Sequence, residues 1–174
     1  MFTLGNSSDA FLLVRAGELG VPTYLLPMLW FAFHVVKSAG NFWMGGLVDR
    51  IGPRIPLFAG WFLYAGVYLA FAFATAAWHV WALFFCYALF YALTEPAEKT
   101  FVTLLVGAEQ KGLAFGWFNF AIGVAALPSS IIFGALYQRY GSLAAFGWGG
   151  AMCLLAAMLL ANVRTPGKSV TNAA

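Results

Sequence analysis

His34, Lys37, Ser38 and Asn41 recur every three or four residues inside a stretch that is otherwise apolar. At about 100° per residue they share one face of a helix. An ionisable group set among hydrocarbon has to be answered by a partner, a solute or water. His34 and Lys37 are therefore candidates for binding an anionic solute or relaying protons. The alternative for the pair is structural, an ion pair with a carboxylate such as Glu95 or Glu98. Tyr87, Tyr91, Thr94 and Glu98 make a second such face, with Glu95 at its edge. Gly112, Gly116, Asn119, Gly123, Ser130, Gly134 and Tyr137 make a third, whose glycines also suit close helix packing. Near the N-terminus Asn6 and Asp9 lie one turn apart; they offer a solute or proton site, or mark a segment that begins near a membrane surface. The candidates for lining a solute path are thus Asn6, Asp9, His34, Lys37, Asn41, Tyr87, Tyr91, Thr94, Glu95, Asn119 and Ser130.

Other chemistries find no support. The chain has no G-x-S-x-G, no H-E-x-x-H, no phosphate-binding G-x-x-x-x-G-K and no paired aspartates of the kind that hold metal and phosphate. Its two histidines, His34 and His79, are far apart in sequence. Cys86 and Cys153 sit in apolar runs without metal-ligand or redox spacing and read as buried small hydrophobes. An enzyme, a metal site and a bound cofactor are not expected. The basic residues are scattered, which does not make a nucleic-acid surface.

The elements that carry these faces are set by composition. Of 174 residues 63% are hydrophobic and 9% charged, with 18 Phe, seven Trp and seven Tyr. A soluble domain is about a quarter charged, so the expected solvent for most of this surface is lipid. Apolar runs at 24–48, 55–77, 79–106, 113–137 and 142–163 are each long enough to cross a hydrocarbon core of about 30 Å. A run at 2–19 is shorter and interrupted by Asn6, Ser7, Ser8, Asp9 and Arg15; it lacks the basic start and cleavage pattern of a signal peptide. The expected fold is all-α and integral to the membrane, with six transmembrane helices over residues 1–165 and a disordered cytoplasmic tail at 166–174.

With six spans, Arg50, Arg54, Lys99, Lys111, Arg164 and Lys168 fall on one side, and Arg15 and Arg139 on the other. Basic residues favour the cytoplasmic side, which places the C-terminus there. The third and sixth runs carry no charge and are expected to face lipid all round, outside polar-faced neighbours. Polar, polar, apolar, twice over, is a three-plus-three arrangement. An echo agrees with it: Gly45, Leu47, Arg50 and Gly52 after the second run match Gly134, Leu136, Arg139 and Gly141 after the fifth. Three helices separate the copies, as in an inverted-topology repeat. Pro128-Ser129-Ser130 marks a bend within the fifth run, where a serine can satisfy freed carbonyls.

The turn between the second and third runs, Gly45 to Arg54, has the pattern G-x-x-x-D-R-x-G-x-R. Gly52-Pro53 forces a tight turn, and Asp49 beside Arg50 and Arg54 can bridge helix ends in one conformation and release them in another. The segment resembles the signature loop of the major facilitator superfamily at Gly45, Asp49, Arg50, Gly52 and Arg54, with Pro53 where Arg or Lys is more usual. The stretches Glu95-Pro96-Ala97-Glu98-Lys99 and Ala108-Glu109-Gln110-Lys111-Gly112 are similar to the loop before the fifth helix of a half of such a protein. The whole resembles the C-terminal half of a bacterial transporter of that superfamily. The resemblance implies solute transport by alternating access, in the bacterial inner membrane, with a small solute and protons as candidate co-substrate. It also implies a partner: an N-terminal six-helix half made as part of a longer chain or separately, or a second copy. A non-transporting scaffold or degraded half-transporter is the alternative.

Overall fold

The computed structural model describes residues 2–6 and 9–163. The predicted tail and two of the residues used for orientation, Arg164 and Lys168, lie outside the described residues. Every element is helical: α1 (Phe2–Gly5), α2 (Ala10–Glu18), α3 (Leu26–Ile51), α4 (Arg54–Phe73), α5 (Ala77–Leu104) and α6 (Lys111–Asn162), with 3₁₀ turns at Thr23–Leu25 and Ala108–Gln110. By length and composition, three helical stretches are apolar enough to cross a membrane: Arg54–Phe73, Ala77–Leu104 and Ala108–Asn162. At 26 residues α3 also has the length, but His34, Lys37 and Asn41 dilute its hydropathy.

The run α6 is two helices in one. At Gly141 the backbone leaves helical geometry (φ 81°, ψ −179°), dividing it into 111–140 and 142–162. The end of α3 breaks in the same way at Gly52 (φ 81°, ψ 164°). These are the two glycines that close the sequence echo. A φ near +80° is open to glycine and strained for other residues, so the same residue type ends both helices for the same reason.

Along the bundle, α3 packs on α5, α5 on α4, α4 on α6, and α1 lies on α6. At the α3–α5 contact, a Cβ on Gly40 would meet the Cβ of Ala92 at 2.5 Å, so only glycine permits this approach. The core is aromatic: Tyr64, Tyr68, Phe71, Phe84, Tyr87, Phe90, Phe133 and Phe146 are all fully buried. Tyr64 stacks on Tyr68 at 4.0 Å and Phe71 on Phe146 at 5.7 Å.

Two expectations are corrected. The run at 2–19 is not one continuous helix; helix stops at Gly5 and resumes at Ala10. Short polar side chains such as Asn6 and Asp9 compete with the helix for backbone hydrogen bonds, which favours a break there. The carbonyls freed by the break are taken up from other helices. Tyr64 Oη donates to Gly5 O at 3.0 Å, Ser129 Oγ to Leu4 O at 3.1 Å, and Trp148 Nε1 to Leu4 O at 3.4 Å. The charge-free helices, secondly, do not face outward all round. α4 buries Leu57, Gly60, Tyr64, Ala65, Tyr68 and Phe71, and exposes Ile55, Phe62 and Phe73 on the opposite side. The segment 142–162 buries Phe146, Gly149, Gly150, Cys153 and Ala157. Small residues beside aromatic ones bring these backbones close without any charge, so lack of charge did not mean lack of neighbours.

Candidate functional site

The broken helix, α3 and α5 meet at a half-buried polar network beside aromatic rings. Tyr87 and Tyr91 lie one turn apart on α5 and point at the break. Tyr87 Oη donates to Asp9 Oδ1 at 2.6 Å, and the Tyr91 hydroxyl is 3.4 Å from both Asp9 oxygens. From α3, Lys37 Nζ lies 4.2 Å over the Tyr91 ring and 3.1 Å from Glu95 Oε1. Asn41, one turn along α3, donates to Glu95 Oε2 at 2.5 Å. Its own Oδ1 is buried and has no hydrogen-bond partner among the described residues. Six of the predicted path residues (Asp9, Lys37, Asn41, Tyr87, Tyr91 and Glu95) therefore form one connected set. Of the two readings of Lys37, the structure shows the ion pair.

The remaining predicted residues are distributed otherwise. Asn6 lies beside the set, its Oδ1 3.4 Å from Tyr64 Oη. His34 is exposed, with its ring edge-on to Trp30 and Phe33. Thr94 is buried and donates to Phe90 O of its own helix at 3.1 Å. Asn119 is exposed and donates back to Phe115 O at 2.9 Å. A Cβ at Gly112, Gly116 or Gly123 would meet nothing within 4 Å, so no described neighbour covers that face. Ser130 is half-buried; it is Ser129 that takes the buried position after Pro128. One residue's difference is 100° of helix rotation, which the spacing alone did not resolve.

Next to the network is a cavity of about 540 Å³ between α1, α4, α5 and α6. Asn6, Tyr91, Thr94, Glu95 and Glu98 supply its polar lining, and Phe2, Trp61, Phe90, Phe101 and Phe118 much of the rest. Glu98, expected on one helix face with Tyr87, Tyr91 and Thr94 and also grouped with the loop before the fifth helix, stands on α5 and lines this cavity. Sequence reading missed Trp61, which comes from a helix expected to lie outside. The signal that was available is the spacing of Leu57, Trp61 and Tyr64 at three and four residues, a helix face turned inward. Among the described residues no three His, Cys, Asp or Glu side chains come together as a metal would need.

Each end of the bundle is held by an arginine. At one end Arg15 donates to Phe71 O (3.4 Å) and Ala74 O (3.0 Å), the last carbonyls of α4, and to Glu18 Oε2 (3.1 Å), which also accepts from Tyr137 Oη (2.5 Å). At the other end Arg54 donates to Leu160 O and Ala161 O, both at 3.2 Å, at the close of 142–162. Cationic donors at helix C-termini match both the free carbonyls and the helix dipole. Asp49 and Arg50 are exposed, and neither makes an ion pair among the described residues. Lys99, Glu109, Lys111 and Gly112 are likewise exposed, around the Ala108–Gln110 turn and the helix ends beside it.

Comparison with known proteins agrees with this architecture. The family model of the Major Facilitator Superfamily matches residues 4–174, so the chain belongs to that family of membrane transporters and is a multi-pass membrane protein. An uncharacterized MFS-type transporter of Methanocaldococcus jannaschii is 28% identical over 166 residues. That alignment covers 92% of this chain and 42% of the relative, so the chain spans well under two thirds of that protein's length. No solved structure matches.

Proposed function

We propose that the chain carries a small solute across the membrane by alternating access, as one six-helix half of a major-facilitator-type secondary carrier. The observation that carries the proposal is the half-buried set Asp9, Tyr87, Tyr91, Lys37, Glu95 and Asn41, which ties the broken helix, α3 and α5 together beside a cavity. Charged groups within spans are costly and mark solute or ion pathways. In this reading the broken helix, α3, α4, α5, 111–140 and 142–162 are six spans, arranged as three plus three with inverted topology. The matching backbone breaks at Gly52 and Gly141 support the repeat. The bacterial inner membrane is the expected location, with the Gly45–Arg54 turn and the C-terminus in the cytoplasm. Protons are candidate co-substrates through Asp9. The exposed face of α3 and 111–140, with Phe42, Trp43, Trp117 and Phe120 on it, is where a second six-helix body would sit.

The test is a screen of the assembled protein for solutes that raise its unfolding temperature, followed by uptake into proteoliposomes. At 100 times its dissociation constant a solute stabilises by about 2.7 kcal/mol. Exchanging Asp49 or Arg50 for Ala should slow uptake severalfold while leaving insertion and the thermal shift intact. Unchanged uptake by both variants removes the gating role of the turn; a protein that binds no solute and moves none removes the carrier reading.

A further inference from the structure

The cavity has a lopsided chemistry. Six rings bound it, from Phe2, Trp61, Phe90, Tyr91, Phe101 and Phe118, and its ionisable lining is acidic: Glu95 and Glu98, with no Lys, Arg or His. The Glu95 charge is matched by Lys37 at 3.1 Å, and its second oxygen is bonded by Asn41. Glu98 has no ion pair and no hydrogen bond to its carboxylate among the described residues. Its neighbour Lys99 is exposed and does not line the cavity. One carboxylate is thus left facing an aromatic chamber.

The chamber restricts what can answer it. An anion would meet Glu98 with no cation to receive it, since Lys37 is already engaged. A bare metal cation needs several convergent ligands, and among the described residues no three His, Cys, Asp or Glu side chains come together here. An organic cation with apolar substituents satisfies both features, because its charge pairs with the carboxylate and its body lies against ring faces that attract cations. A volume of about 540 Å³ is within the usual range for a drug-sized molecule.

We propose that this cavity binds a lipophilic organic cation, with Glu98 as its counter-ion and Trp61, Phe90 and Tyr91 as its walls. The inference names the solute class for the carrier reading above and rests on it for its role in transport; the binding site itself is testable separately.

The probes are tetraphenylphosphonium and tetraphenylborate, ions of one shape and opposite charge. Equilibrium dialysis against the full chain in lipid nanodiscs, with empty nanodiscs subtracted, should show saturable binding of the phosphonium and at least about tenfold weaker binding of the borate. Glu98→Gln should weaken phosphonium binding by about tenfold, and Glu98→Asp should restore most of it. Equal retention of the two ions by the wild-type protein overturns the proposal whether or not the variants fold. So does the absence of saturable phosphonium binding, or full binding by a Glu98→Gln protein of unchanged elution profile. Flux in proteoliposomes then separates the two readings. Phosphonium that binds at Glu98 but is never moved leaves the site standing and overturns the cation as the carried solute. Uptake of another solute with which phosphonium does not compete leaves the carrier and overturns the cation assignment.

Discussion

Arg15 and Arg54 sit at opposite ends of α4, and each donates to carbonyls at the C-terminal end of a helix, Arg15 to that of α4 and Arg54 to that of 142–162. Their surroundings differ. Arg15 belongs to a closed ring in which Glu18 accepts from both Arg15 and Tyr137, so α2, α4 and 111–140 are joined through one carboxylate. Aromatic packing continues inward from there, with Phe71, Phe84 and Phe146 fully buried. At the Arg54 end the nearest acid in sequence, Asp49, is exposed and unpaired among the described residues. The core there is a small cluster of Val48, Leu57, Ala97 and Leu160, and the cavity reaches it through Leu57, Glu98, Phe101 and Leu160. One end is thus crosslinked through a carboxylate, with a cavity of about 270 Å³ at Phe73, Ala74 and His79, and the other is held by Arg54 and a small apolar cluster beside the cavity of about 540 Å³. In the carrier reading proposed above, the Arg54 end, which has no carboxylate crosslink among the described residues, is the one expected to separate.

The comparison can be broken by mutation. Arg15→Ala should have the largest effect, about 3 kcal/mol in a denaturation titration in micelles, because two helix-end carbonyls and a carboxylate lose a charged donor together. Arg54→Ala should cost about 1–2 kcal/mol in the same assay. Equal losses would show that the two ends are equivalent after all. Cysteines placed at Phe101 and Val102, in a protein whose Cys86 and Cys153 are replaced by Ala, should react with aqueous thiol reagents faster than cysteines placed at Phe71 and Phe84; equal rates would mean that the cavity end is closed to water. Weaker still is the coupling of Glu18 with Tyr137. A double-mutant cycle of Glu18→Gln and Tyr137→Phe should return about 0.5–1 kcal/mol, limited by the exposure of Glu18. Asp49→Asn should change stability by less than about 0.5 kcal/mol, since it loses no partner.

Much of the helical layout was legible because hydropathy and glycine act locally. The runs predicted at 24–48, 55–77 and 79–106 are α3, α4 and α5 within a few residues, and the turns at Gly52 and Gly141 fall where the echo put them. What could not be read was how helices meet. The inward face of α4 is built from Leu57, Gly60, Tyr64 and Tyr68, residues that lipid would accept equally well. Their direction is decided by partners such as Gly5 and Phe133 that sequence spacing does not connect. Which of Ser129 and Ser130 takes the buried position after Pro128 is decided in the same way. The polar face of α3 was legible as a face, but its choice of Glu95 over Glu98 depends on the angle between two helices.

The break near Asn6 has a consequence for how the protein is made. In hydrocarbon each unsatisfied backbone carbonyl costs several kcal/mol. The donors that satisfy Leu4 and Gly5 are Tyr64, Ser129 and Trp148, all supplied by α4 and α6. The first segment of the chain therefore cannot reach its final place when it leaves the ribosome. It has to wait, shielded by water or the insertion machinery, until nearly everything after it has been synthesised.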